Sequence, residues 1–287
     1  MSAEMEVPLA LVCRVTGAPR STIYERRSRG DVRSRPGPKC SVSDSEVTQR
    51  IRQVIKESPF CGEGHRKVRA RLRREHELVV GKNRVLRLMR QEGLLAPQRE
   101  RRRHRPRIHD GQVITNRPNE RFGTDATMAW TRADGWVWVF VLVDHHTDEA
   151  WAHVAKVGNR FAALQPLYDA VIDRFGKLGP DVARGIKLRH DWGSQYRSFH
   201  FQGSLKWLGI EDDAAFVGEP QGNGVAERFI RTLKEQCLWS RLFIDVDDLR
   251  QGVANFIGTY NNEWLIERLG HRTPREAFIE ATAEMAA

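Results

Sequence analysis

Cysteine is scarce in this chain, and its few copies are scattered. The 287 residues include four cysteines, and they form neither a Cys-x-x-Cys pair nor a paired His/Cys spacing. This spacing argues against a zinc knuckle and against a disulfide framework. It fits a protein that works in a reducing cytoplasm. The four residues are Cys13, Cys40, Cys61 and Cys237.

Long apolar runs are also missing. The sequence has no stretch of about 18 apolar residues that could cross a bilayer, and its N-terminus has no apolar core of a signal peptide. Hydrophobic residues still make up 40% of the chain, which is enough to build a folded core. We therefore expect a folded cytoplasmic protein without a membrane segment.

Acidic residues are few in the N-terminal third. Residues 1–108 hold 27 Lys/Arg against 12 Asp/Glu, whereas the rest of the chain holds 20 against 25. A merely soluble basic protein need not separate its charge in this way. The whole chain carries a formal charge of +10, which favours a polyanionic partner such as DNA.

The first 40 residues predict a helix-turn-helix-like segment and a linker. Cys13, Gly17 and Ile23 have the small–Gly–aliphatic spacing in which a small residue lets two helices approach and glycine permits the turn. The second helix would begin near Arg20, which is suited to a phosphate contact. A plain helical hairpin is the alternative.

Residues 41–95 predict a helical DNA-binding domain. Val47, Ile51 and Val54 recur at helical spacing, and two further helices rich in Lys and Arg follow them. Charged helix faces are usually just solvated, but basic residues far outnumber acids here, which favours phosphate contact. Residues 96–114 form a basic linker. The predicted DNA-contacting residues of this domain are Arg66, Lys67, Arg84 and Arg87.

Residues 115–280 predict an α/β domain, because strand patterns come in a run and then alternate with helices. β-branched and aromatic residues fill 136–143, and a second strand pattern follows at 150–155. The remaining predicted elements are a helix at 161–175, a strand at 185–190, and helices at 201–208, 224–239 and 246–260.

Three acids in this domain lie at the edges of apolar segments, which is a poor place for a charge without a task. They are Asp125, Asp191 and Glu227, and 35 residues separate the last two. Carboxylates that converge from separate elements can hold Mg²⁺, which prefers hard oxygen ligands. Arg231 and Lys234 follow Glu227 at helical spacing and could hold a DNA strand, although an ordinary surface ion pair is the alternative.

With these motifs, the chain resembles the second-reading-frame transposases of bacterial insertion sequences of family three, whose core is similar to retroviral integrases. The Asp–Asp–(35)–Glu pattern is matched by the three acids, and the family's basic residue seven positions later is matched by Lys234. The C-terminal signature is matched from Tyr260 to Pro274. Two departures, Gly222 ahead of Asn223 and Trp264-Leu265-Ile266 in that signature, leave the acids untouched.

The resemblance implies a ribonuclease-H-like core, with a mixed five-stranded sheet and flanking helices, preceded by the all-α helix-turn-helix region. It implies a Mg²⁺-dependent polynucleotidyl transferase that uses two ions, with Mn²⁺ as a substitute, to cut and join DNA. It further implies a homo-oligomer on DNA and a partner from the first reading frame. A DNA-binding protein with a silent core and a simple nuclease are the alternatives.

Other polar residues near these acids have competing interpretations. Asp144, with His145 and His146, follows an apolar strand, and an acid there is more typical of a turn cap than of a metal ligand. Tyr196 could stack on an unpaired base, as could Trp192, but a core role is favoured for both. His190 could orient Asp191 or simply pack, and Asn223 could lie near the scissile phosphate.

Overall fold

The chain divides into two compact units, Met1–Ser43 and Asp44–Ala287. The computed structural model describes residues 8–17, 19–21, 24–25, 42–97, 114–191, 193–214 and 223–286. In the first unit, helix α1 (Leu9–Thr16) ends at Gly17, whose φ of 70° is the left-handed conformation that glycine adopts readily. Arg20 is exposed at the start of a helical stretch, whereas Ile23 and the linkers at 28–40 and 98–113 lie outside the described residues.

The second unit begins with three helices that pack on one another. They are α2 (Asp44–Glu57), α3 (His65–His76) and α4 (Lys82–Gln91). Their buried side chains recur every three or four residues, which is the spacing that places them on one helix face. These side chains are Val47, Ile51, Val54, Val68, Leu72, Val85, Leu88 and Met89.

A mixed five-stranded sheet follows, as the family resemblance implies. Strand order is β3-β2-β1-β4-β5, with β1–β2 and β2–β3 antiparallel and β1–β4 and β4–β5 parallel. The strands are β1 (Arg121–Thr131), β2 (Gly135–Asp144), β3 (Ala150–Ala155), β4 (Lys187–His190) and β5 (Glu211–Ala214).

Each face of the sheet carries its own helices and its own core. Helices α5 (Arg160–Phe175) and α6 (Phe199–Leu208) pack with Phe122, Phe140 and Leu142 on one face. Helices α7 (Gly224–Leu233) and α8 (Val246–Glu263) pack on the other face, against alternate residues of β2. The chain ends in α9 (Pro274–Ala286). Within the described ranges, the helices include none that is long and apolar enough to cross a membrane.

The helix predicted from 224 to 239 does not keep α-helical geometry throughout. After Leu233 the chain takes a wider π-helical turn from Lys234 to Leu238. The wide turn keeps Leu233, Cys237 and Leu238 all buried in the core beneath it. Lys234 therefore opens the wide turn instead of continuing the regular helix face.

The helical part contacts the C-terminal part of the core at Trp264. The ring of Phe60 meets the indole of Trp264 edge-on, with ring centroids 4.7 Å apart. The Nζ atom of Lys67 lies 2.9 Å from the centre of the same indole. The two regions are therefore packed into one unit, with Phe60 joining the core beneath α7 and α8.

Candidate active site

The pairing of β1 with β4 brings Asp125 and Asp191 side by side. The parallel register pairs Arg121 with Lys187 and ends with Gly123 beside Arg189, and each acid lies two residues beyond that last pair. Adjacent strands lie about 4.8 Å apart. The two acids, far apart in sequence, therefore meet at the end of β4, where ligands bind in open α/β sheets.

The third acid reaches the same place through the start of α7. Asn223 precedes the first residue of this helix and donates a hydrogen bond from Nδ2 to the carbonyl oxygen of Thr124, at 2.8 Å. Thr124 is the residue before Asp125, so the bond fixes the helix beside the acid. Glu227 lies in the first turn of α7 and is exposed.

The pKa of Asp125 reflects its closeness to the other two acids. Burial, and then the nearby carboxylates of Asp191 and Glu227, raise the pKa of its carboxyl to about 6. A hydrogen bond from the Ala126 N–H and the charge of Lys234 act in the opposite direction. Burial also raises the pKa of Glu227, against the charge of Arg231. Such a group of carboxylates favours a cation that neutralises it.

As they stand, the described residues contain no group of three His, Cys, Asp or Glu side chains close enough to hold a metal ion. Mutual repulsion of three carboxylates is a physical reason for them to stand apart. The donor set nevertheless fits a hard divalent cation, because it consists of carboxylate oxygens around a partly buried acid with a raised pKa.

The rings of one histidine and one tyrosine support the strand end that precedes Asp191. Tyr196 is fully buried, and it stacks on His190 with ring centroids 5.2 Å apart. The Nε2 atom of His190 lies 2.7 Å from a carboxylate oxygen of Asp212, on the neighbouring strand. Tyr196 thus has the core role that the sequence favours. Trp192 lies outside the described residues.

Asp144 caps a tight turn after β2. Its carboxylate accepts hydrogen bonds from the backbone N–H groups of Asn119, His146 and Thr147, at 2.9, 2.7 and 3.1 Å. Those three bonds account for a buried acid at the end of a strand. Asp144 therefore has the turn-cap role that the sequence favours.

The cations predicted to contact DNA divide into two groups. Lys234 is half-buried near Asp125, and Arg231 is exposed on the same helix as Glu227. In the helical part, Arg66 pairs with Glu267 at 2.8 Å, and Lys67 is covered by Trp264. Arg84 and Arg87 both pair with Asp44, each at 2.7 Å. Arg20 belongs to the separate N-terminal unit.

Sequence reasoning missed Gly123, two residues before Asp125. A Cβ on this glycine would lie 2.7 Å from Nε2 of His145 and 2.9 Å from Oδ1 of Asn223, which is closer than real contacts allow. A glycine inside a strand marks a place where another group approaches the backbone closely, and this signal was available in the sequence.

Comparison with known proteins agrees with both parts of the chain. Residues 43–102 match the family described as HTH-like domain, and residues 208–274 match the integrase core domain. Two solved structures are similar at 17% identity. The HTLV-2 integrase catalytic core domain in complex with magnesium has a TM-score of 0.44, covering 57% of this chain and 99% of that one. A simian T-cell lymphotropic virus intasome in complex with PP2A regulatory subunit B56 gamma has a TM-score of 0.46, covering 75% and 70%.

Full-length relatives are found among bacterial transposases. The chain is 30% identical over 241 residues to transposase InsD for insertion element IS2A/D/F/H/I/K of Escherichia coli, covering 82% of this chain and 79% of that protein. Transposase InsD for insertion element IS2-9 of Escherichia coli (strain K12) matches at the same identity, with 82% and 77% covered. With its matches to the HTH-like and integrase core domain families and this similarity along most of its length, the chain belongs to the family of insertion-element transposases that includes InsD.

Proposed function

We propose that this protein cuts and joins the DNA ends of an insertion element by metal-dependent phosphoryl transfer, using Asp125, Asp191 and Glu227. Its family membership supports DNA transposition, and the integrase core supports polynucleotidyl transfer. A DNA-binding protein with a silent core is not favoured, because the acids predicted to do the chemistry are all present.

The observation that carries the proposal is the parallel register of β1 and β4. Both acids lie two residues beyond the last pair of this register, Gly123 with Arg189, and the Asn223 bond to Thr124 holds the start of the Glu227 helix next to Asp125. Separate segments of the chain thus deliver acids to one strand end. An ordinary surface distribution of acids gives no reason for this convergence.

The residues divide the chemical work between them. Divalent cations bound by the three carboxylates would stabilise charge on the attacking and leaving oxygens of the transfer. Mg²⁺, with Mn²⁺ as a substitute and two ions in all, is our proposal. Lys234 and Arg231 would hold the phosphates of the attacked strand. The attacking oxygen would belong to water in cleavage and to a 3′-hydroxyl in joining.

The DNA would also be gripped away from these acids. We propose that Arg20, Arg84 and Arg87 contact phosphates. Arg84 and Arg87 would leave their ion pairs with Asp44 and bind the DNA backbone instead, because charge-assisted bonds to phosphate are strong. Arg66 and Lys67 remain candidates that would first have to leave Glu267 and Trp264. Replacing Arg20, Arg84 and Arg87 together by glutamine would flatten the dependence of DNA affinity on salt.

We further propose that the active form is a homo-oligomer assembled on DNA in the cytoplasm. Two element ends must be held together for joining, and one copy of the three acids serves one end at a time. The first-reading-frame protein, alone or fused to this chain, would contribute recognition of the ends. Adding it to the purified protein would then raise the yield of joined product.

A strand-cleavage and strand-joining assay tests the proposal. The full chain, with and without the first-frame protein, is incubated with labelled DNA from the sequences flanking its own gene and with Mg²⁺ or Mn²⁺. Wild type should give cleaved and joined products, and Glu227→Gln should give neither while still binding DNA. Glu211→Gln is a matched control, because Glu211 is an exposed carboxylate on the edge strand β5.

Each other outcome selects a different function. Products from Glu227→Gln equal to those from wild type would refute the proposed site. Cleaved DNA without joining, even with the first-frame protein, would favour a simple nuclease. DNA binding without products in both arms would favour the silent core.

A further inference from the structure

Gly123 lies at the centre of a close meeting between three chain segments. It sits on β1 two residues before Asp125, so the two residues share one face of the sheet. His145 approaches it from the end of β2, and Asn223 approaches it from the start of α7. Only a residue without a Cβ leaves room for both side chains at this point.

The two approaching side chains are buried and hold unused hydrogen-bonding capacity. His145 is 5% exposed and Asn223 is 7% exposed. Among the described residues, no hydrogen-bond partner exists for either ring nitrogen of His145 or for the Oδ1 atom of Asn223. Buried polar atoms without partners are rare in native proteins, and such a pair calls for an explanation.

Hydrogen bonds hold both residues against β1. The backbone N–H of His145 donates to the carbonyl oxygen of Arg121 at 3.0 Å, and its imidazole lies beside Gly123. The Nδ2 atom of Asn223 donates to Thr124, so its Oδ1 atom turns the other way, towards Gly123 and His145. The two atoms lie 2.7 and 2.9 Å from the same point beside the glycine, and they form no direct hydrogen bond with each other. One bridging water can join a donor and an acceptor placed in this way.

We propose that His145 and Asn223 form a clamp across Gly123, which sets the position of Glu227 relative to Asp125. In the clamp the Nε2–H group of His145 donates to one bridging water, which in turn donates to Oδ1 of Asn223. Asn223 then ties the start of α7 to β1 through Nδ2 and to the turn after β2 through Oδ1. Both are positioning residues that act through the helix start, and the inference rests on the function proposed above.

The charge state of His145 suits this role. Burial, and then the neighbouring cations Arg121, Arg189 and Arg268, lower the pKa of its imidazole to about 4. The ring is therefore neutral near pH 7, with one nitrogen able to donate. A neutral donor satisfies Asn223 without adding a positive charge beside the proposed cation site. The clamp would thus fix Glu227 without competing for the cation.

Manganese binding without DNA tests the clamp separately from catalysis. The full-length protein is titrated with Mn²⁺, with free Mn²⁺ followed by electron paramagnetic resonance. Melting temperature and DNA affinity are measured in parallel. His145→Leu and Asn223→Ala should each weaken Mn²⁺ binding about 10-fold. His145→Gln, which keeps an N–H donor near the position of Nε2, should restore wild-type binding.

Two further variants keep the test decisive. Asn261→Ala is the matched control, because Asn261 is a buried asparagine whose amide bonds both the N–H and the carbonyl of Ala150, on another part of the sheet. It should lower the melting temperature and leave Mn²⁺ binding unchanged. Gly123→Ala pushes the clamp apart from the backbone side and should weaken Mn²⁺ binding even if His145→Leu does not fold.

The results separate this inference from the proposed function. Wild-type binding of Mn²⁺ by Asn223→Ala and Gly123→Ala would overturn the clamp and leave the three acids in place. Equal losses in His145→Leu and His145→Gln would assign His145 a purely structural role and also overturn it. Loss of Mn²⁺ binding in Asp125→Asn is the positive control. A wild-type protein that neither binds Mn²⁺ nor cuts DNA would overturn the function and the clamp together.

Discussion

Replacing Arg71 by methionine should destabilise the protein far more than replacing any neighbouring arginine that is exposed. The guanidinium of Arg71 donates to both carboxylate oxygens of Glu63, at 2.7 and 3.3 Å, and to Glu75 at 2.9 Å. It also donates to the carbonyl oxygen of Glu263, the last residue of α8, at 3.1 Å. One side chain thus joins the helical part to the core.

The expected size of the loss follows from burial. The side chains of Arg71 and Glu63 are 7% and 3% exposed, so removing the arginine leaves a carboxylate charge buried without its main partner. Such a change destabilises a protein by about 3–5 kcal/mol. In a unit of this size the melting temperature should fall on the order of 10 °C. The exposed pair of Arg66 and Glu267 should contribute at most about 1 kcal/mol.

Urea and thermal unfolding of the full chain at pH 7 measure the difference, with Arg66→Met as the matched control. The double variant Glu63→Leu with Arg71→Met removes both charges and should recover most of the loss. A loss below about 1 kcal/mol in Arg71→Met would contradict the argument, because it would mean that the carboxylate of Glu63 finds water as easily in the folded state as outside it.

Three further predictions concern single residues. The pKa of Asp125 is raised to about 6, so folding favours the protonated carboxyl. The metal-free protein should therefore lose stability as the pH rises from about 4 through 6. Asp125→Asn should remove this loss, measured by urea unfolding at several pH values. Burial lowers the pKa of Lys67 to about 7, so above pH 7 the unfolded chain binds a proton that the folded protein does not. The free energy of unfolding should therefore rise with pH above 7. Lys67→Met, whose side chain can still pack on Trp264, should abolish that rise. Gly158→Ala places a Cβ 2.5 Å from the ring of Trp138 and should cost about 1–3 kcal/mol, measured as a lower melting temperature.

The sequence predicts the interior strands and helices well, because their patterns reflect burial. The apolar run of β2 and the helical spacing of α5 both appear at the expected positions. The sequence also suggests the three acids as site candidates, since each lies at the edge of an apolar segment. Their convergence could not be derived from composition or periodicity, because it depends on the register between β1 and β4.

Strand β5 shows why other parts could not be predicted. It reads Glu-Asp-Asp-Ala, and such an acidic segment gives no strand signal. It is stabilised instead by pairing with β4, where Lys187 meets Glu211, Arg189 meets Asp213 and His190 meets Asp212. Cross-strand pairs of opposite charge depend on a partner that only the fold identifies.

The basic helix α3 presents the same difficulty in reverse. Its surplus of Lys and Arg predicts a surface for phosphates, and the sequence does not show which acids face it. In the structure Arg74 pairs with Glu276, and Arg71 is enclosed by Glu63 and Glu75. Charge counts along one segment therefore leave out the partners that folding supplies from elsewhere in the chain.

Cys61 and Gln236 give the fold a mechanical link. The peptide N–H of Cys61 donates to Oε1 of Gln236 at 2.9 Å, and Nε2 of Gln236 donates to the carbonyl oxygen of Cys61 at 3.0 Å. Gln236 belongs to the π-helical turn that Lys234 opens. If the helical part grips DNA as proposed, a pull on it would reach the π-helical turn through this paired amide. The amino group of Lys234, near Asp125, would then shift with the turn, so tension on the bound DNA would alter the surroundings of the acids.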